Sequence, residues 1–441
     1  MADRDGIGPT RPVVVIRGGT VLDRTGERRA DLLVADGHIA AVEAALVPPK
    51  GASILDADGC LVCPGLVDLH THLREPGREE SETIETGTRA AALGGYTAVV
   101  AMPNTEPPLD SAEAVRNVYE LSAAACAEVA VAGAITVGRA GERLAPMAEL
   151  AGLGVRLFTD DGCGVQSAGL MRRALEYARG LGVTLAQHCE DQTLAAGGAM
   201  HEGAWSSRLG IPGLPSAAED VMVARDIALA RATGGRLHLL HLSTSVSVAL
   251  VRQAKAEGLL VTAEAAPHHF TLTDRCASGY DPTFKVNPPL RPQSDVDAVK
   301  AGLADGTIDA VATDHAPHAP ELKDLPFDQA PPGMLGLETA LSLALSELDQ
   351  PVGRVLALMS WQPASIAGLD PSSGGAHGGP VEPGAAANLC VVDPRAIWTV
   401  EPGALASRSH NTPYGGRRMR GRVRHTLFRG EPVVVDAEAQ R

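Results

Sequence analysis

Aromatic side chains are nearly missing from this chain of 441 residues: five Phe, five Tyr and three Trp amount to 3%. Its core must therefore be aliphatic, drawn from a hydrophobic fraction of 45%. No uncharged apolar run approaches the ~20 residues that a membrane span needs, and the first residues, Met1 to Thr10, lack the apolar centre of a secretory signal. Positive charge is in deficit, with 38 Lys and Arg against 53 Asp and Glu, a net charge of −15. That argues against nucleic acid or an anionic membrane as partner. It also means that an anionic substrate would need locally concentrated positive charge, from an arginine or a metal. The cysteines are few, odd in number and scattered: Cys60, Cys63, Cys126, Cys163, Cys189, Cys276 and Cys390. This pattern points to reduced thiols and a cytoplasmic location. Cys60 and Cys63 form an isolated CxxC with no second pair nearby, in a β-like segment, which favours a strand over a redox or zinc pair.

Both ends of the chain read as short strands separated by turns. At the front these are 13–17, 31–34 and 38–42, with Gly18-Gly19 and Asp36-Gly37 as turns; at the back they are 387–393 and 422–435. One small β domain built from both ends is expected. The middle alternates apolar runs (61–73, 97–104, 129–137, 155–161, 183–191, 237–244, 260–269 and 308–318) with helix-like stretches such as 81–93, 112–125, 169–179, 218–232 and 246–257. Alternation of this kind implies a parallel sheet, and eight units over roughly 250 residues is the size of a (β/α)8 barrel. The expected architecture is α/β: a TIM-like barrel at 63–380 with a small β-sandwich from 1–62 and 381–441.

Nearly every run ends in reactive residues: His70 and His72, Asn104, Asp161, His188, His241, His268 and His269, and Asp314. In such a barrel the C-terminal strand ends form the active face, so separate strands would project these groups into one cup. His70 and His72 are two apart on a strand and share a face, a natural chelating pair. His188 and His241 end the fifth and sixth runs. Asp314, after an apolar strand, would be nearly buried and needs a metal or a hydrogen-bond partner. Four histidines and an aspartate hold two divalent ions if a further anion bridges them. There is no lysine between Lys50 and Lys255, so a carboxylated lysine from the early and middle strands is ruled out. Asp160-Asp161 supplies the carboxylate, and the other member of the pair is free to bond backbone. Metals here would bring a water pKa down to about 7, with Asp314 shuttling the proton. Zn suits a His/Asp set, with Mn, Co or Ni as alternatives.

The stretches HTHLREPG (70–77), AMPNT (101–105), FTDDG (158–162), HCED (188–191), KVNPPLR (285–291) and ATDHAPH (312–318) together resemble the dihydroorotases of the amidohydrolase superfamily. The likeness is to the bacterial class bridged by aspartate, and it extends over nearly the whole chain, including Asn411 to Gly415. It implies two Zn2+ ions, His70 and His72 on the first, His188 and His241 on the second, Asp161 as the bridge, and Asp314 as ligand and general acid/base. Arg74, Asn104 and His318 match positions that grip a substrate carboxylate; Asn287, Pro332, Gly333 and His72 match further substrate contacts. An arginine fork suits a carboxylate. Ala265-Ala266-Pro267 departs from the family at a position where threonine is common, and 321–328 is a variable stretch within the 316–335 loop, read as a mobile lid.

The implied activity is reversible cyclisation of N-carbamoyl-L-aspartate to L-dihydroorotate, the third step of pyrimidine synthesis, through a metal-bridged hydroxide. Rival readings are a hydantoinase-, dihydropyrimidinase- or allantoinase-like enzyme, and a silent scaffold for aspartate transcarbamoylase. The first usually bridges with modified lysine; the second typically loses ligands that this chain keeps. A homodimer is the default assembly, with association with aspartate transcarbamoylase as a further partner expectation.

Overall fold

The computed structural model describes residues 12–441, so the expectation about Met1 to Thr10 falls outside the described residues. At its centre is an eight-stranded parallel sheet whose strands neighbour one another in chain order: Leu66–Thr71, Tyr96–Ala101, Glu128–Gly133, Leu157–Phe158, Thr184–Gln187, Arg236–Leu239, Val261–Ala265 and Ala310–Val311. The sheet closes on itself through a parallel bridge between Thr71 and His315 and a 2.9 Å hydrogen bond from the His72 N–H to the His315 carbonyl. The eight apolar runs of the sequence are these eight strands, and the fold is the expected barrel.

Capping chemistry explains why a helix starts soon after most strands. Thr83, Ser111, Ser167 and Thr244 each accept a backbone N–H of the first turn of the helices Ile84–Leu93, Ala112–Leu121, Ala168–Leu181 and Ser245–Ala256. Gly182, Gly234 and Gly306 end three helices in the left-handed conformation, which glycine adopts without a Cβ penalty. Alternate strand residues then serve two cores. Val99, Val131, Phe158, Leu185 and Leu239 join the helix residues Leu170, Val223 and Val248 in the outer layer. Leu69, Val100, Ala132, Leu157, Ala186 and Ala310 form a separate cluster, which the alternation assigns to the barrel interior. Only aliphatic side chains and one methionine fill that interior cluster, in keeping with the poverty of aromatics.

Beside the barrel stand two further sheets. One has four strands, His38–Glu43, Asp31–Ala35, Val14–Arg17 and Ser53–Asp56; the other has seven, among them Thr20–Asp23, Leu61–Pro64, Leu389–Thr399 and Arg418–Phe428. Val14, Ile16, Leu32 and Leu55 of the first share one buried cluster with Val21, Val62, Leu389, Val391 and Leu427 of the second, the two-layer arrangement expected from the chain ends. Cys63 lies opposite Cys390 within the larger sheet, and all seven cysteines are free. No helix among the described residues is long and apolar enough to cross a membrane.

The segment between the two long strands Leu389–Thr399 and Arg418–Phe428 does not stay with the sandwich. It reaches the barrel mouth, where Ser407 and the Arg408 N–H donate to Glu82 and Asn411 braces the loop after the eighth strand. The C-terminal part of the chain thus supports the site directly.

Candidate metal centre

The two shortest barrel strands, Leu157–Phe158 and Ala310–Val311, are followed by the two carboxylates of the cup, Asp161 and Asp314. With so little ladder to hold them, each is anchored through its preceding neighbour. Asp160 turns away from the cup and accepts the Ile135 N–H at 2.9 Å, the Thr136 N–H at 3.0 Å and the Thr136 hydroxyl. Thr313 donates its N–H (2.7 Å) and hydroxyl (2.5 Å) to Asp68, which also accepts the Thr71 hydroxyl at 2.5 Å. The first and eighth strands are thereby tied just beneath His70, His72 and Asp314. Between the two aspartates the sequence left open, Asp160 bonds backbone and Asp161 faces the histidines.

Four imidazoles surround Asp161. Its Oδ1 lies 3.4 Å from His70 Nε2, 3.5 Å from His188 Nδ1 and 3.7 Å from His241 Nε2; its Oδ2 lies 3.6 Å from His72 Nε2. Asp314 Oδ1 sits 3.5 Å from His70 Nε2 and 3.3 Å from His72 Nε2. Two groups of three have donor atoms within 4.8 Å of one another, His70/His72/Asp314 and His70/Asp161/His241. His188 belongs to neither but lies 3.0 Å from His241, Nδ1 to Nε2. All six expected ligand positions therefore converge, with His70 common to both groups.

The donor set fits divalent cations. The buried His70 Nε2, which faces both Asp161 and Asp314, has no hydrogen-bond partner, a costly state unless a cation satisfies such a group. Burial works to raise the Asp161 carboxyl, yet the charge of His70 and the neighbouring imidazoles of His188 and His241 hold it well below the usual range. Burial likewise opposes protonation of His70, but Asp161 and Asp314 raise it well above an ordinary imidazole. Both directions express one need, positive charge between two buried carboxylates. His241 (φ 32°), Asp314 (φ 47°) and Arg74 (φ 62°) also adopt left-handed backbone, strain of the kind that collects at functional sites.

The distal nitrogens of the HxH pair are fixed from behind. His70 Nδ1 lies 2.9 Å from Glu264 Oε1, and His72 Nδ1 lies 3.0 Å from Asn104 Oδ1. Asn104, expected to grip substrate, thus orients His72 through its carbonyl, while its amide NH2 donates to no group among the described residues.

Arg74 is no surface salt bridge: it is 8% exposed, its Nε donates to the Pro317 carbonyl at 3.1 Å, and it pairs with no carboxylate among the described residues. Burial, with Arg78 nearby, brings its pKa down to about 10. Asn287 has a buried Oδ1 without a partner. His318 points a ring nitrogen at the Pro332 carbonyl, Nε2 to oxygen 2.8 Å, and burial with the charges of Arg74 and Lys323 lowers its pKa to about 3. The Gly333 N–H donates to the Lys285 carbonyl (2.8 Å), and a Cβ at Gly333 would fall 2.7 Å from Ala316 Cβ and 2.9 Å from His318 Nε2. In this conformation the Pro332-Gly333 backbone braces the site, with its polar groups already engaged.

The 316–335 loop, which follows the eighth strand, is pinned by hydrogen bonds from three side chains. Lys323 donates to the Pro282 (2.9 Å) and Pro331 (2.8 Å) carbonyls, Lys285 to the Asp328 carbonyl (3.0 Å), and Asn411 to the Ala316 (3.0 Å) and Gly333 (3.1 Å) carbonyls. A cavity of about 660 Å³ lies along it, lined by Tyr280, Pro282, His318, Lys323 and Asn411.

Several supporting residues escaped the sequence reading: Asp68, Glu82, His238, Glu264 and the lysine pair Lys285 and Lys323. Asp68 and Glu264 do carry a signal, a lone carboxylate inside an apolar strand.

Residues 59–247 match a family model described as Dihydro-orotase-like. A protein of Pelotomaculum thermopropionicum named Dihydroorotase is 49% identical over 430 residues, covering 96% of this chain and 99% of that one. One of the same name from Anaeromyxobacter dehalogenans is 48% identical over 437 residues, covering 97% and 99%. Among solved structures, the L-hydantoinase (dihydropyrimidinase) of Arthrobacter aurescens superposes with a TM-score of 0.86 at 25% identity, covering 97% of both chains.

Asp160 and Asp161 should separate on substitution. Asp160→Asn should lower stability by about 1–3 kcal/mol while the protein keeps its metal; Asp161→Asn should do the reverse. Thermal unfolding and metal content measured on both variants check this, and metal loss from Asp160→Asn alone would contradict the assignment.

Proposed function

The chain belongs to the dihydroorotase family of cyclic amide hydrolases, and from that premise we propose that it interconverts N-carbamoyl-L-aspartate and L-dihydroorotate plus water. The observation that carries this reading is the ring of four histidines about Asp161, with Asp314 against two of them and a buried Arg74 that makes no ion pair among the described residues. His70, His72, His188, His241, Asp161 and Asp314 would hold two divalent cations, zinc being the best match to such donors. When bound, these supply Lewis acidity, lowering a water's pKa toward 7 and polarising the ring carbonyl.

The chain's own groups do the rest. Arg74 gathers the substrate carboxylate, its planar fork meeting both oxygens, with the free amide of Asn104 beside it. Asn287 offers an acceptor to a ring N–H. His318 donates to the carboxylate after turning from the Pro332 carbonyl, and the 316–335 loop excludes water once substrate is seated. In hydrolysis, water adds to the ring amide carbonyl; Asp314 takes its proton and delivers it to the departing ring nitrogen. In cyclisation, Asp314 takes the proton from the carbamoyl nitrogen as that nitrogen closes on the side-chain carboxyl, and returns it to the oxygen that leaves as water.

This reading carries the domain limits 1–62, 63–380 and 381–441, a cytoplasmic place in pyrimidine synthesis, a homodimer, and association with an aspartate transcarbamoylase. The hydantoinase-like alternative gains weight from the fold neighbour, but a neutral ring gives Arg74 no anion to bind.

Asp314→Asn should keep bound metal and lose nearly all turnover; activity within a few-fold of wild type would remove Asp314 from the proton path. On a panel of L-dihydroorotate, hydantoin and dihydrouracil, only the first should turn over. Arg74→Met should cost about 2–5 kcal/mol of transition-state binding, roughly 30-fold or more in kcat/KM. Comparable turnover of the neutral rings would favour the alternative.

A further inference from the structure

Glu264 lies wholly buried on the seventh barrel strand, in a segment, Val261–Ala265, whose other members are Val, Thr and Ala. Each of its oxygens meets a different imidazole: Oε1 stands 2.9 Å from His70 Nδ1, Oε2 stands 3.0 Å from His238 Nε2. His238, on the sixth strand, lies 2.8 Å from the Thr262 hydroxyl through its other nitrogen. We propose that Glu264 is the positioning residue that fixes His70 in the tautomer able to bind metal, and that His238 and Thr262 hold Glu264 to that task. The inference rests on the reading of His70 as a metal ligand.

Hydrogen bookkeeping makes the assignment. An ionised carboxylate only accepts, so His70 carries its proton on Nδ1 and His238 on Nε2. His238 Nδ1 is then an acceptor, and Thr262 supplies the hydroxyl proton. In the neutral ring His70 Nε2 is then the lone-pair nitrogen, buried and without a hydrogen-bond partner, 3.4 Å from Asp161 and 3.5 Å from Asp314. Every polar atom from Thr262 to His70 thus has one role, and the chain ends at the cup. A purely architectural role explains the arrangement less well. Buried ion pairs are commonly replaceable by apolar residues without loss of stability, and here the carboxylate reaches a residue of the site. Metal-ligating histidines typically donate their second nitrogen to such a group, and its removal weakens metal binding.

Glu264→Gln is the near-isosteric probe. An amide has one acceptor end and one donor end, so it satisfies one imidazole N–H and opposes the other. In metal-free protein titrated with Zn2+ against a chromophoric chelator, Glu264→Gln should weaken binding 10- to 100-fold with an unchanged circular dichroism spectrum. His70→Asn, run in parallel, should weaken it at least as much. An unaffected His70→Asn would overturn the ligand reading itself. Weakened His70→Asn together with Glu264→Gln within twofold of wild type would overturn the positioning role alone. Should Glu264→Gln fail to fold, ring 15N shifts of wild-type metal-free protein decide, with the His70 signal assigned by its loss in His70→Asn. At a pH high enough to make the ring neutral, protonation at Nδ1 is expected, and protonation at Nε2 contradicts the proposal.

Discussion

Charge buried at the open end of the barrel governs the rest of the molecule. Asp161 and Asp314 are 3% and 7% exposed and share the space with four histidines that are equally enclosed. Two carboxylates in a low-dielectric cup are tolerable only beside positive charge, and the pull of Asp161 and Asp314 on the His70 ring and on Arg74 reflects that demand. The histidines are consequently more than convenient donors. They stand between the two carboxylates, with His70 Nε2 within 3.5 Å of both.

Holding that arrangement requires anchoring that ordinary strand pairing does not supply. The strands bearing the two aspartates have two residues each. Asp160 clamps one strand end to the loop after the third strand, while Asp68 clamps the other to the first. Around the rim, Glu82 joins His315 to the long C-terminal excursion at Ser407 and Arg408, and Asn411 stitches both ends of the 316–335 loop. The β-sandwich therefore contributes to the chemistry through the excursion between its two longest strands. Arg74 fits the same economy: a buried cation without its own carboxylate leaves one anionic position for a substrate to fill.

Much of this was legible in the residues. Eight apolar runs ending in His, Asp or Asn predict the barrel and the face that carries the site, because strand order and strand-end position follow from periodicity alone. The stretch without lysine limits the bridge to a carboxylate, though periodicity could not choose between Asp160 and Asp161; that depended on the backbone N–H groups of Ile135 and Thr136, which sit 24 to 25 residues away in sequence. Glu264 and His238 were illegible as partners for the same reason, since the contact to His70 spans 194 residues. For Asn104 and His318 the limit of the sequence is of a different kind. Sequence assigns a residue type to a site, but which of its atoms a neighbouring carbonyl or ring nitrogen already occupies is settled by packing.

The central claim is that Asp161 stands between two cations. Crystals grown with zinc and measured on both sides of the zinc absorption edge test it most directly. Two anomalous peaks should flank Asp161 about 3.5–4 Å apart, one beside His70 and His72, the other beside His188 and His241. A single peak, or peaks that leave Asp161 outside both coordination spheres, would contradict it.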